Sequence, residues 1–221
     1  MSGIFPALAC LSCLDVAYYQ PYFNVETADV VARLRCALLA YQGKTIFDEN
    51  TDADLYGPLW ISATVALTLF TVANLSGFIA AWLNPTHAAW SYDFGLLFSA
   101  FSILFGYVVG GATLLWGAFR WRGHQQCKLA DLVCIYGYAG TVWLPMTLLC
   151  IIPIDTVRWV IVAASSGYST FFLNMNLQIH LKLPLPSGVS IPTDQLAQLA
   201  VAASVAHFLF GLIFKRYFFP F

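Results

Sequence analysis

The amino-acid sequence predicts an all-α integral membrane protein: a bundle of five transmembrane helices preceded by a short cytosolic amphipathic helix. Three observations predict it. Of the 221 residues, 60% are hydrophobic and only 10% are charged, whereas a soluble globular domain carries about 25% charged residues. Five apolar stretches, broken by short polar or proline-bearing segments, each reach the length of about 20 residues that crosses a bilayer core. The net charge of −1 leaves no basic face for nucleic acid.

The spans follow in order. The first covers about 59–83 and is closed by Asn84-Pro85. The second, about 94–119, ends on Arg120 and Arg122 with Trp116 and Trp121 as interfacial anchors. The third, about 129–152, ends at Pro153 and carries Gly137 and Pro145, which predict a bend because proline removes a backbone donor. The fourth covers about 157–179 and forms a tight hairpin with the third; the fifth covers about 196–214 and ends at Lys215-Arg216. Backbone groups find no water in hydrocarbon, so each span is helical.

Residues 1–58 form the cytosolic N-terminal segment and 59–221 the membrane domain. Met1 to Leu14 lacks a positive start and makes a poor signal peptide, so it reads as a membrane-grazing tail. Thr27 to Tyr41 reads as the amphipathic helix, with Thr27 as cap and Asp29 in the positive first turn. Val30, Val31, Leu34, Leu38 and Tyr41 form its apolar stripe, flanked by Arg33 and Arg35. Packing against the membrane domain is the plainer expectation for that stripe, and lying on the cytosolic leaflet the alternative. Gly43 to Asp54 is a polar, acidic linker.

Orientation follows the Lys and Arg positions. Arg33, Arg35, Lys44, Arg120, Arg122, Lys128 and Lys182 fall on the N-terminal side, against Arg158, Lys215 and Arg216 on the other. The N-terminus is therefore expected in the cytosol and the C-terminus in a lumen.

Polar residues inside the spans are candidates for function. His207, Asn74, Asn174, Asn176 and Gln178 are expected to hydrogen-bond between helices, with a proton relay or substrate path as the functional alternative. Asp131 is expected to pair with Lys128, and Arg158 to reach the interface by snorkelling. Gly106 and Gly110 form a GxxxG that would let a neighbouring helix approach closely, within the chain or from a partner. Cys10-x-x-Cys13 alone is a weak metal signal, and Cys134 and Cys150 sit in apolar segments as small hydrophobes. No catalytic motif is present and no cofactor or metal site is expected.

Two motifs remain. Asp54-Leu55-Tyr56-Gly57-Pro58 stands at the mouth of the first span, and Tyr136-Gly137-Tyr138 lies in the third. With Tyr18-Tyr19-Gln20, Phe23 to Thr27, Asn74-Leu75-Ser76, Asp131 to Cys134 and Cys150 to Pro153, they resemble the Yip-domain family, the Ypt/Rab-interacting YIPF membrane proteins, and most of all its Golgi subgroup. The resemblance covers roughly Tyr18 to Trp159. Family members carry a longer polar N-terminus, so a reduced form or a misplaced start is expected here. The resemblance implies five spans, Golgi or ER–Golgi residence, a part in vesicle transport or Golgi organisation, small-GTPase binding and complexes with other Yip-family proteins. From the residues, Pro58 suits a first helical turn, Gly57 a sharp approach, and Asp54 and Tyr56 the headgroup level. Direct partner contact is the alternative for both motifs. A non-enzymatic adaptor leads; a small-solute or proton-coupled permease built on His207, and a membrane-shaping scaffold using the 27–41 helix, are the alternatives.

Overall fold

A computed structural model describes residues 16–40, 45–47, 52–83, 90–122, 127–182 and 193–220, with backbone alone at 179–182, 193, 195 and 196. All regular elements among them are helical: α1 Val16–Phe23, α2 Thr27–Leu38, α3 Tyr56–Leu83, α4 Gly95–Trp121, α5 Leu129–Ala139, a 3-10 turn Gly140–Val142, α6 Trp143–Leu149, α7 Asp155–Lys182 and α8 Thr193–Phe218. Cys10, Cys13, the Met1 to Leu14 tail, Tyr41, Lys44, Asn84-Pro85 and the loop before α8 lie outside the described residues, and the Lys182 side chain with them.

Among the described residues four segments are long and apolar enough to cross a membrane: Tyr56–Leu83, Gly95–Trp121, Leu129–Leu149 and Ala197–Phe218. The surface is apolar where a soluble protein would be charged, with Phe98, Leu114 and Ile213 all exposed. The third segment is the centre of the bundle, 72% of its apolar window being buried against 22% for α4. Its bend takes a definite form. The chain tightens to the 3-10 turn after Gly137, and Pro145 falls in the first turn of the new helix α6, where its missing N–H costs little.

The fourth expected span falls on α7, which at 28 residues is about 42 Å long. It is not among the four apolar segments, and its packing explains why. Ser166, Ser169 and Asn176 are buried, whereas beyond its polar first turn (Asp155 and Thr156, both exposed) the exposed positions Val157, Val160, Ala164 and Phe171 are apolar and recur at helical spacing. Polarity is turned inward. α7 packs along α8, and Gly211 of α8 admits Ser166: a Cβ there would lie 2.0 Å from the Ser166 Oγ.

Part of the polar face of α7 receives the N-terminal segment. Tyr168 donates its hydroxyl to the Leu38 carbonyl at 2.7 Å and accepts the Ala40 N–H at 2.8 Å. The Asn176 side-chain oxygen accepts the Ile46 N–H at 2.9 Å and the Thr45 hydroxyl at 3.0 Å. These bonds satisfy backbone groups of an irregular strand of chain beside membrane helices, where water does not serve.

Helix α2 differs in detail from the sequence expectation. Glu26, not Thr27, occupies the N-cap, without a side-chain bond, and the helix ends at Leu38. Its packed face is Arg33 and Ala37 with half-buried Val30 and Leu34, while Val31 and Leu38 are exposed. The helix is rotated from its apolar stripe because Arg33 finds a buried partner on the membrane domain.

Candidate functional site

Asp54 is that partner. It is 0% exposed, covered by protein, and each of its oxygens is engaged. One carboxylate oxygen accepts the Gly57 N–H at 2.7 Å, capping the start of α3. The other takes an ion pair from the Arg33 guanidinium, the Tyr138 hydroxyl at 3.0 Å and the Cys134 thiol at 4.0 Å. Arg33 also donates to the Asp52 carbonyl at 2.7 Å. Burial acts to lower the Arg33 pKa, but the Cys134 and Asp54 side chains outweigh it and hold it above the usual arginine value. The guanidinium therefore stays charged and fixes the carboxylate.

The two motifs interlock around this pair. A Cβ on Gly57 would lie 2.2 Å from the Tyr138 hydroxyl oxygen. One on Gly137 would lie 2.4 Å from the Pro58 Cβ and 2.6 Å from its Cα. Each motif thus supplies a glycine that the other fills, and α3 and α5 touch backbone to ring. Asp54, Gly57, Pro58, Tyr136, Gly137 and Tyr138 are all buried; Leu55 is half-buried, its N–H donated to the Tyr22 carbonyl at 2.9 Å. Tyr56 alone is exposed, its ring 6.1 Å from that of Trp60. Two motifs 80 residues apart, joined through a buried carboxylate, form one structural unit.

Residues 37–214, which include both motifs, match the Yip1 domain. This chain belongs to the Yip1 domain family. Curated relatives agree. It is 31% identical over 209 residues to the Protein YIPF1 homolog of Dictyostelium discoideum, covering 94% of this chain and 57% of that protein. It is 38% identical over 163 residues to the Protein YIP5 of Schizosaccharomyces pombe, covering 70% and 64%. To the Protein YIP5 of Saccharomyces cerevisiae it is 24% identical over 219 residues, covering 90% and 69%. The chain thus spans less than two thirds of the length of the first two relatives. No solved structure matches.

Within this Yip1 domain, His207 is 0% exposed and bonded through both ring nitrogens. The Ser169 hydroxyl donates to the Ala139 carbonyl at 2.6 Å, so toward His207 Nε2, 2.8 Å away, Ser169 accepts. That arrangement places the ring proton on Nε2, and Nδ1 accepts the Tyr107 hydroxyl. The chain of bonds links α4, α8, α7 and α5, and Trp143 stacks on the imidazole at 5.5 Å. His207 is a neutral, satisfied joint. Removing the imidazole in His207→Leu strands the Tyr107 hydroxyl, and thermal unfolding in detergent should show a loss of about 1–2 kcal/mol.

The other intramembrane polar residues act locally. Asn74 clamps the segment before α4 to α3: its side-chain oxygen accepts the Asp93 N–H at 2.9 Å and its amide donates to the Asp93 carbonyl at 3.2 Å. Asn174 accepts the Gln178 amide at 2.6 Å within α7. Among the described residues a Cβ added at Gly106 or Gly110 would meet nothing within 4 Å, whereas one on adjacent Gly111 would lie 2.8 Å from the Tyr136 ring. Lys128 pairs with Asp52 at 3.7 Å, both side chains being largely exposed. Among the described residues no three His, Cys, Asp or Glu side chains gather as a metal-ligand group.

Arg158 does not snorkel. It is fully buried, donating to the Cys150 carbonyl at 3.0 Å and to the Ser76 hydroxyl, with the Phe219 ring 5.3 Å away. Lys215 is likewise buried, paired with Asp155 and lying 4.6 Å over the Trp159 ring. Both cations were read from the sequence as interfacial because each stands at a span end; inward partners on α3, α6 and α7 decide otherwise. Sequence reasoning also missed Arg33, Tyr168 and Ser169 as anchoring residues. A cation on α2 and an otherwise unexplained aspartate at a span mouth was the one available signal, and it points to Arg33.

Proposed function

We propose that this chain is a non-enzymatic multi-pass membrane adaptor of the ER–Golgi system. In this reading it serves vesicle-mediated transport or Golgi organisation by binding small Rab/Ypt GTPases and forming hetero-oligomers with other Yip-family proteins. The observation that carries it is the Arg33–Asp54 lock at the heart of the two motifs. It holds the N-terminal segment rigidly on the membrane domain, as a docking platform requires, and commits the motif residues to that task.

α7 is the fourth of five spans in this reading. Along its middle the exposed positions Val160, Ala164 and Phe171 are apolar while Ser166, Ser169 and Asn176 are buried, so its average composition understates its fitness for lipid. Five spans and the Lys/Arg distribution support an N-terminus in the cytosol and a C-terminus in a lumen, and in this reading the membrane is that of the Golgi. The partner then meets the outward face of α2, where Asp29, Val31 and Arg35 are exposed. Buried Tyr138 and Gly137 support that face from beneath.

Detergent-purified protein should retain prenylated Rab proteins and co-purify Yip-family partners. The double substitution Asp29→Lys and Arg35→Glu should abolish Rab retention at a cost in stability of no more than about 2 kcal/mol, the two reversed charges opposing the helix dipole at its ends. Neither ligand being retained by the unaltered protein would sink the proposal. For the permease reading His207 was the motive, and its closed hydrogen-bond chain favours the structural role instead.

A further inference from the structure

Helix α1 carries the clearest unexplained surface. It lies upstream of the residues that match the family domain, and none of its residues is buried. Yet Val16 is 81% exposed, Tyr18 51%, Tyr19 41% and Phe23 43%. A helix of eight residues with a proline inside it is marginal in water, because its few hydrogen bonds do not offset the cost of nucleation. Such a helix needs a surface to lie on, and the other described residues do not bury it.

Its position says which surface. The Tyr22 carbonyl accepts the N–H of Leu55, the residue before α3 begins. That bond fixes α1 at the mouth of the first span. Tyr22 also feels the charge of Lys128 at the start of α5, a level at which the Trp116 indole of α4 meets the Cys127 carbonyl. Directly below, Tyr56, Leu59 and Trp60 continue the exposed apolar surface down α3. From Val16 to Phe23 there is no charged side chain, so the face is suited to tyrosine-rich interfacial burial and not to an acidic or basic partner.

We infer that α1 is an interfacial anchor that lays its tyrosine face into the headgroup region of the leaflet where α3 enters. It extends the lipid contact of the membrane domain sideways and sets the height at which α2 is presented. Tyr18 and Tyr19, both exposed, supply the contact.

The full chain, reconstituted in phosphatidylcholine vesicles with p-benzoylphenylalanine in place of Tyr19, tests this directly. After irradiation, mass spectrometry should find phospholipid attached at position 19, as it should for the same replacement at exposed Leu67 on α3. No lipid adduct at 19 beside an adduct at 67, or a cross-link from 19 to another polypeptide or a second copy, overturns the inference. A second readout uses the double substitution Tyr18→Ser and Tyr19→Ser, which removes no internal contact of a buried residue. Protease cleavage of the N-terminal segment in vesicles should increase; unchanged cleavage overturns the inference as well.

Discussion

Asp54→Ala is expected to destabilise the protein by about 3–5 kcal/mol, because it leaves the Arg33 guanidinium buried without its counter-charge. Loss of the cap on Gly57 adds about 1 kcal/mol. The arithmetic matters: a buried ion pair is not itself strongly stabilising relative to an apolar pair, but half of one is costly. Asp54→Leu combined with Arg33→Met should therefore recover much of the loss, and a double-mutant cycle read by thermal unfolding in detergent measures it. If Asp54→Ala unfolds at the temperature of the unaltered protein, the carboxylate is not the hub described here. The same variant should free the N-terminal segment, since Arg33 then has no reason to face the membrane domain, and faster proteolysis within residues 16–55 would report that release.

The second large effect belongs to a glycine. Gly137→Ala drives a methyl to within 2.4 Å of the Pro58 Cβ and 2.6 Å of its Cα, and neither helix backbone can give way cheaply. A loss of about 1–3 kcal/mol is expected, the range for overpacking a tight contact. Two control substitutions sharpen it. At Gly140 an added Cβ meets only the Ile61 Cγ2 at 3.7 Å, an ordinary contact, and at Gly106 it meets nothing within 4 Å. Gly140→Ala and Gly106→Ala should leave the unfolding temperature unchanged or raised, because alanine favours a helix by about 0.5–1 kcal/mol over glycine. Equal losses at all three positions would show that α3 and α5 are not in backbone contact at Gly137.

That ranking reverses the reading available from spacing. GxxxG is a recognised packing signal, so Gly106 and Gly110 stood out for packing, while Gly137 stood out as a bend and as part of the second motif. A glycine's importance depends on what its missing Cβ would meet, and that is a property of two chain segments at once. The same holds for Arg158 and Lys215. Each was placed correctly along the chain and misplaced in depth, since snorkelling is the default only where no inward partner exists. His207 was anticipated as a hydrogen-bonding residue, but Tyr107 and Ser169 as its partners lie 100 and 38 residues away.

What the sequence determined by itself is four of the five expected apolar segments, their order, a helix before them and the family. Hydropathy is a local sum and a motif a local string, and both survive without knowledge of neighbours. Tertiary structure alone decided that Asp54, Arg33 and Tyr138 form one buried unit, that Tyr168 and Asn176 of α7 hold residues 38, 40, 45 and 46, and that α2 rolls off its apolar stripe. In each case a charge or polar group left unmatched in low dielectric costs more than the local pattern gains, so the partner, not the pattern, sets its place.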